Sequence, residues 1–234
     1  MEHHKLYVDS LEFGYKNKQA IIKGAYLECL TGDIIALFGR NGCGKSTLMQ
    51  LIFGSLKANH SYLLLDGKKY EKAYITNKIG YLPQDSFLPT NLKVLKLIKR
   101  LVPSYARTEL LIDVRIKTLI DRKIYQLSGG ELRYLELCIL ITQPTYFLLL
   151  DEPFTGIEPN YIVIISDLIL KFKSKKGFII TDHNYRYLLD IATKLLLLEN
   201  GTCRQLKHSA ELNFHYLPDK TFDDYSLKRT DINT

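Results

Sequence analysis

Residues 39–47 read Gly-Arg-Asn-Gly-Cys-Gly-Lys-Ser-Thr and match the pattern G-x-x-x-x-G-K-[ST] in full. The glycines allow the backbone to wrap closely around phosphate groups with its N–H groups turned inward. Lys45 can place a cation beside the phosphates, and the Ser46 hydroxyl can bind Mg²⁺. An apolar run precedes the loop and a helical stretch follows it, so a helix N-terminus faces the anion. The stretch predicts a phosphate-binding loop, and a chance glycine turn is the weaker explanation.

Two acidic residues follow a second apolar run, at residues 146–150. The carboxyl ends of parallel strands are where open α/β sheets bind ligands. Asp151 suits a Mg²⁺ shell because hard cations prefer oxygen ligands. Glu152 suits accepting a proton from an attacking water molecule. Taken alone, the pair leaves open a simpler explanation, an acidic turn after a core strand.

Strand and helix patterns alternate along the chain, which favours an α/β fold with a mainly parallel sheet. Apolar or alternating runs predict strands at residues 5–13, 21–30, 34–38, 146–150, 177–181 and 194–199. Helical spacing predicts a helix from the phosphate loop through Phe53 and another at 93–102, which a break at Pro103 follows. It also predicts a helix from the glycine pair at 129–130 to about Ile141, and one at 160–172. The helical patterning of residues 86–126 predicts a small helical lobe inserted into the α/β core.

Composition narrows the class of protein. The chain has 234 residues, of which 46% are hydrophobic, so it can bury a sizeable core. No apolar run approaches the roughly 18 residues that a membrane helix needs, and the first residues do not resemble a signal peptide. The four cysteines are too widely spaced for a metal site and predict free thiols. The net charge of +7 suits an anionic partner: nucleic acid, a membrane face or a nucleotide.

Further motifs, in a fixed order with the two above, resemble the ATP-binding-cassette (ABC) ATPases. Residues 127–131 read Leu-Ser-Gly-Gly-Glu and look like the family signature, and residues 81–84 look like its Q-loop. Residues 151–159 resemble the acidic strand that runs into the D-loop, and residues 181–183 resemble the histidine switch. The resemblance covers about residues 5–203. It implies the P-loop nucleoside triphosphatase fold: a mainly parallel core sheet, an antiparallel β subdomain at the N-terminus and a helical subdomain inserted at about 86–140.

The resemblance also implies domain bounds and site residues. It implies one ABC ATPase domain over residues 1–203, followed by an extension at 204–234 with no assigned role. ATP and Mg²⁺ are the implied cofactors. The implied ATP-binding residues are Tyr15, Gly39, Asn41, Gly42, Cys43, Gly44, Lys45, Ser46 and Thr47. The implied metal-binding residues are Ser46, Gln84 and Asp151, and the implied catalytic residues are Glu152, His183 and Gln84.

The resemblance also implies contacts to the adenine ring and to a second cassette. Tyr15 would stack on adenine, although a core or turn tyrosine is plausible among 16 tyrosines. In this family two cassettes pair head to tail, and the signature of one closes over the nucleotide of the other. The signature residues here are Ser128, Gly129, Gly130 and Glu131. A homodimer is the simpler expectation, because the chain carries motifs for both faces.

Three departures from the family pattern are present, and one of them is that the stretch from Gln84 to Leu127 is short for the family. Glu158 replaces the usual Asp of the D-loop, and the helix at 132–143 lacks the usual small-residue and arginine pattern. No departure touches Lys45, Asp151, Glu152 or His183, so hydrolysis is expected to be intact.

For the biological role, the leading hypothesis is the ATP-hydrolysing subunit of a membrane transporter, with separate permease subunits and a cytoplasmic, peripheral position on the inner face of the cell membrane. The motifs look most like the cassettes of lipopolysaccharide export and branched-chain amino-acid uptake. The basic face at 93–100 could lie near anionic lipid or an acidic coupling helix, or be simply solvated.

The alternative function is a soluble cassette that acts on nucleic acid, ribosomes or cofactor assembly. Nucleic acid is not expected as a partner, because the chain has neither a second cassette nor a long insertion. A nucleotide-binding regulator without turnover is a third possibility, and the presence of Glu152 argues against it.

Overall fold

The centre of the larger sheet is β3 (Ile34–Phe38), buried at all five residues. The structure is a computed structural model that describes residues 3–15 and 19–212. In spatial order the sheet contains β10 (Thr202–Leu206), β9 (Lys194–Glu199), β3, β8 (Gly177–Thr181), β7 (Phe147–Asp151) and β6 (Ile79–Leu82). The strands run parallel except β10, which pairs antiparallel with β9. The predicted mainly parallel core sheet is therefore confirmed.

A second sheet is antiparallel and covers the other side of the phosphate-loop helix. Its spatial order is β2 (Ile22–Leu30), β1 (Lys5–Phe13), β4 (His60–Leu65) and β5 (Lys68–Lys69). The antiparallel β subdomain is confirmed, and two of its strands come from beyond the first 30 residues. Strands β4, β5 and β6 were not among the sequence predictions.

The helices complete the layers. They are α1 (Lys45–Phe53), α2 (Val94–Leu101), α3 (Ser104–Ile112), α4 (Val114–Leu119), α5 (Gly129–Ile141), α6 (Pro159–Phe172) and α7 (Tyr185–Ile191), with short 3-10 turns at Ala73–Thr76 and Ile124–Gln126. Pro103 separates α2 from α3 as predicted. Asp113 ends α3 and caps α4, because its carboxylate accepts hydrogen bonds from the N–H groups of Arg115 and Ile116. These elements make the predicted inserted helical lobe.

Two hydrophobic layers explain why the core strands are continuously apolar. In β3, Ile34, Ala36 and Phe38 face the layer formed by the lobe and the other helices. Ile35 and Leu37 face the layer shared with α1 and the antiparallel sheet. Both faces of the strand are covered, so alternation with polar residues is absent. This arrangement fixes the carboxyl ends of β3, β7 and β8 at one edge of the sheet.

The C-terminal part of the described chain is folded past residue 203. The boundary proposed at 203 falls inside β10, whose last residue, Leu206, is buried, and Leu212 packs in the same core. The remainder of the proposed extension, 213–234, lies outside the described residues. Within the described ranges, no helix has both the length and the hydrophobicity required to traverse a bilayer.

Candidate active site

The phosphate loop connects β3 to α1, as its pattern predicted. Gly42 and Gly44 have positive φ angles of 78° and 106°, which side-chain-bearing residues rarely adopt. A Cβ atom on Gly44 would also lie 2.7 Å from Ile21 Cγ2. Lys45 is buried, and its Nζ donates to the backbone oxygen of Gly39 at 2.6 Å. The loop therefore requires glycine and turns the lysine ammonium towards its own interior.

A cavity at the mouth of this loop brings together residues that are far apart in sequence. Its volume is about 290 Å³. Its walls include Asn41, Gly42, Gly44, Lys45, Ser46, Thr47, Gln84, Glu152 and His183. The structure thus assembles most of the predicted ATP-binding and catalytic residues around one space.

Asp151 lies behind this cavity at the end of β7 and is 1% exposed. Its Oδ1 accepts a hydrogen bond from Ser46 Oγ at 3.1 Å, and its Oδ2 accepts one from the Tyr81 hydroxyl at 3.0 Å. Burial raises the pKa of the Asp151 carboxyl, against the opposing effect of these two hydrogen bonds. The side-chain atoms around the Asp151 carboxylate that could bind a metal are oxygens, which fits a hard divalent cation such as Mg²⁺. Tyr81 was not identified as a site residue from its pattern.

Glu152 follows β7 in a left-handed conformation with φ of 52°. Such a conformation costs a non-glycine residue about 1–3 kcal/mol and persists only where the surroundings fix it. Its N–H donates to the Thr181 oxygen at 2.8 Å. Gln84 Nε2 donates to Oε2 at 3.0 Å, and His183 Nε2 lies 2.9 Å from Oε1. The carboxylate is therefore held at both oxygens by the two residues predicted to act with it.

Asp182 connects the segment after β8 to the segment after β7. It is 2% exposed, and its carboxylate accepts hydrogen bonds from the N–H groups of Phe154 at 2.6 Å and Asn184 at 2.8 Å. Asn184 Nδ2 donates in turn to the Phe154 oxygen at 3.1 Å. Burial raises the pKa of the Asp182 carboxyl. These bonds fix His183 relative to Glu152.

Arg133 and Glu136 in α5 are site-associated residues that sequence reasoning did not identify. Arg133 is 7% exposed, and its guanidinium donates to four backbone oxygens. The four are Pro83 at 2.8 Å, Gln84 at 3.1 Å, Asp151 at 3.0 Å and Glu152 at 3.2 Å. The available signal was a pair of opposite charges three residues apart in a helix whose later residues are mostly apolar.

The signature residues form the N-terminus of α5 and do not line the cavity of their own chain. Ser128 Oγ accepts from the Glu131 N–H at 3.3 Å, and a Glu131 carboxylate oxygen accepts from the Ser128 N–H at 2.7 Å. This is a capping box, which Arg122 extends through an ion pair of 2.8 Å with Glu131. Gly130 lies where a Cβ atom would be 2.5 Å from the Tyr161 ring. The local geometry explains why this turn has serine, glycine and glutamate.

Tyr15 and Cys43 are less directly related to the cavity. Tyr15 is 47% exposed and contacts Phe13 edge-to-face at 4.9 Å. It lines a separate groove with Phe13, Ala20 and Asn59. Cys43 lies in the phosphate loop, and burial raises the pKa of its thiol. All four cysteines are free thiols, as predicted.

Comparison with known proteins gives one family. A family model described as ABC transporter matches residues 22–155. The lipopolysaccharide export system ATP-binding protein LptB of Haemophilus influenzae is 28% identical, with 91% of this chain and 96% of that protein covered. LptB of Acidithiobacillus ferridurans is 30% identical, with 84% and 87% covered.

Solved structures show the same fold. A nucleotide-free ATP-binding cassette from an ABC transporter has a TM-score of 0.77 at 21% identity, with 90% of this chain and 94% of that chain covered. A bacterial Atm1-family ABC exporter with ATP bound has a TM-score of 0.79 at 23% identity, with 92% and 41% covered. At these identities the likeness supports the fold alone.

Proposed function

This chain belongs to the ABC transporter family and is an ATPase, and we propose that it is a Mg²⁺-dependent motor subunit that works as a head-to-tail dimer on separate membrane subunits. The observation that carries the proposal is the position of Glu152 at the mouth of the phosphate loop. Its two carboxylate oxygens contact Gln84 and His183. A carboxylate fixed in this way beside a phosphate site is arranged to accept a proton from water.

In the proposed reaction, Lys45 and the N–H groups of the loop bind the phosphates of ATP. Ser46, Gln84 and Asp151 would hold Mg²⁺, which would neutralise charge on the transferred phosphoryl group. Glu152 accepts a proton as a water oxygen bonds to the terminal phosphorus and the bond to ADP breaks. His183 orients the Glu152 carboxylate and lies within the same cavity, where it can contact the terminal phosphate. Tyr15 would stack on adenine from the adjoining groove.

The dimer proposal rests on the placement of the signature. Ser128 and Gly129 are exposed at the N-terminus of a 13-residue helix and are not part of the cavity of their own chain. A helix N-terminus with free N–H groups is a favourable place for a phosphate. A second copy in head-to-tail orientation would bring these groups to the phosphates bound by the first. Two nucleotides would then lie between the two chains, and hydrolysis would release the interface.

The membrane proposal rests on charge as well as on relatives. Residues 86–126 contain nine Lys and Arg against three Asp and Glu, so this lobe carries +6 of the net +7 of the chain. On α2 the exposed cations are Lys96, Lys99 and Arg100. Such a surface suits the anionic inner face of a membrane or an acidic segment of a membrane subunit. Both named relatives serve lipopolysaccharide export, so we propose a peripheral position and an export-type partner.

Purification from membranes tests the role. A tagged chain should release phosphate from ATP, lose this activity when EDTA removes Mg²⁺, and co-isolate with an integral membrane protein in mild detergent. Recovery of nucleic acid or ribosomes in place of a membrane protein would overturn the transporter role, and activity that persists in EDTA would overturn the role of Mg²⁺.

A further inference from the structure

A buried ion pair in α5 connects the entrance of the helical lobe to the backbone of Glu152. Glu136 is 1% exposed, and its Oε2 lies 3.1 Å from Arg133 Nη1. Its Oε1 accepts hydrogen bonds from Ser86 Oγ at 2.6 Å and from the Phe87 N–H at 3.2 Å. Phe87 itself is 41% exposed at the surface. A continuous path of charge-assisted hydrogen bonds thus begins at a surface residue and ends beside Glu152.

Arg133 is also one of the groups that fix the unusual backbone of Glu152. The N–H of Glu152 is held by the Thr181 oxygen, and its carbonyl oxygen accepts from Arg133 Nη2 at 3.2 Å. A positive φ at a non-glycine residue persists where the surroundings constrain it on both sides. The backbone direction at Glu152 decides where its carboxylate points. A displaced Arg133 guanidinium would therefore turn the carboxylate away from Gln84 and His183.

We propose that Arg133 and Glu136 form a positioning unit that couples residues 83–87 to the orientation of Glu152. The inference deepens the proposed function and rests on it, because it assumes that Glu152 acts in turnover. Arg133 donates to backbone oxygens behind the site and touches no reacting atom, so it is a positioning residue. A partner that moves Phe87 would act on Glu136 first, then on Arg133, and through Arg133 on Glu152.

Three substitutions in the full chain test the unit. Arg133→Lys keeps one cation, and Arg133→Met keeps a similar volume without donors. Ser86→Ala removes the bond from Ser86 Oγ to Glu136 together with the bond that Ser86 Oγ accepts from the Leu88 N–H at 3.3 Å. Tyr134→Phe is the matched control in the same helix, because it removes a partly buried hydrogen bond of 3.2 Å from the Tyr134 hydroxyl to Asp113. The measurements are kcat and KM for Mg-ATP, together with the thermal midpoint.

The positioning role predicts graded losses in kcat. We expect a fall of about tenfold for Arg133→Lys, about 100-fold for Arg133→Met and at least threefold for Ser86→Ala, with KM changed less than threefold throughout. Tyr134→Phe should lower the thermal midpoint and leave kcat within twofold. If Arg133→Met does not fold, Arg133→Lys and Ser86→Ala decide.

Two results overturn the inference. One is a kcat for Arg133→Lys or Ser86→Ala within twofold of the original chain. The other is a loss of kcat that, across all variants including Tyr134→Phe, is simply proportional to the fall in the thermal midpoint. Glu152→Gln separates this failure from failure of the proposed function: if that variant still turns over, the proposed function fails, and if it is inactive while Arg133→Lys is not, only the positioning unit fails.

Discussion

His183 and Glu152 meet at the edge of the core sheet, where the imidazole Nε2 lies 2.9 Å from the carboxylate Oε1. The contact follows from topology. Strands β7 and β8 are parallel neighbours, with Asp151 opposite Thr181. Residues that follow two such strands emerge side by side, so positions 31 apart in sequence become neighbours. The pair defines the chemical centre of the site.

Glu152→Gln should abolish turnover while ATP binding is kept. The amide has nearly the same shape as the carboxylate and can keep its neighbours, but it does not accept the proton of the attacking water. We expect phosphate release to fall at least about 100-fold, in line with the loss of a general base, and the Kd for ATP to change less than about threefold. Single-turnover phosphate release and nucleotide titration measure the two quantities. A variant that hydrolyses ATP at half the original rate would exclude Glu152 as the base.

His183→Ala should lower kcat by about 10- to 100-fold with a small effect on KM, because it releases one oxygen of Glu152 and leaves the loop untouched. His60→Ala is the control, since His60 is exposed on β4 in the other sheet. Steady-state phosphate release provides both constants. Equal activities for the two variants would show that His183 has no part in turnover.

Neighbouring glycines of the signature should respond differently to alanine. At Gly130 a Cβ atom would lie 2.5 Å from the Tyr161 ring, so Gly130→Ala should destabilise the fold by about 1–3 kcal/mol. At Gly129 the nearest contact would be the Gly156 oxygen at 3.4 Å, which an added methyl tolerates. Gly129→Ala should therefore fold normally and instead weaken ATP-dependent pairing. Urea unfolding separates them, and equal stabilities would contradict the packing argument.

Because of Lys176, the free energy of unfolding should rise with pH in the alkaline range. Burial lowers its pKa from 10.5 to about 8, with a further contribution from Lys175. Between those values the unfolded chain binds more protons than the folded chain, so the free energy of unfolding rises with pH. Relative to Lys176→Met, the original chain should gain up to about 3 kcal/mol between pH 8 and 10.5. Urea titrations at several pH values measure the difference, and a difference independent of pH would contradict the lowered pKa.

Sequence patterns predicted the fold where one rule dominates a segment. The run at β3 is apolar because both faces are covered, and the glycine loop after it permits few conformations. By contrast, β4 and β5 were not predicted, because both strands are short. Few residues are then available to show the alternation of apolar and polar side chains that marks a half-buried strand. The side chains of β10 are mostly exposed, and its position in the sheet depends on its backbone pairing with β9.

The candidate site could be predicted only in part, for a related reason. Continuous sequence motifs contain Lys45, Asp151 and Glu152, so the residues next to each of them in sequence predict its chemical role. Arg133 acts on backbone oxygens about 50 and about 18 residues away, and no local pattern encodes those partners. Its functional position depends on α5 packing behind β6 and β7, which is a tertiary property.

The mass of Glu152→Gln in solution, determined by size-exclusion chromatography with light scattering, tests the head-to-tail dimer when it is measured with and without Mg-ATP. With hydrolysis blocked, we expect a monomer near 27.0 kDa without nucleotide and a dimer of twice that mass with Mg-ATP. Gly129→Ala in the same background should remain monomeric in both conditions. A Glu152→Gln chain that binds ATP and stays monomeric at all protein concentrations would contradict the head-to-tail homodimer.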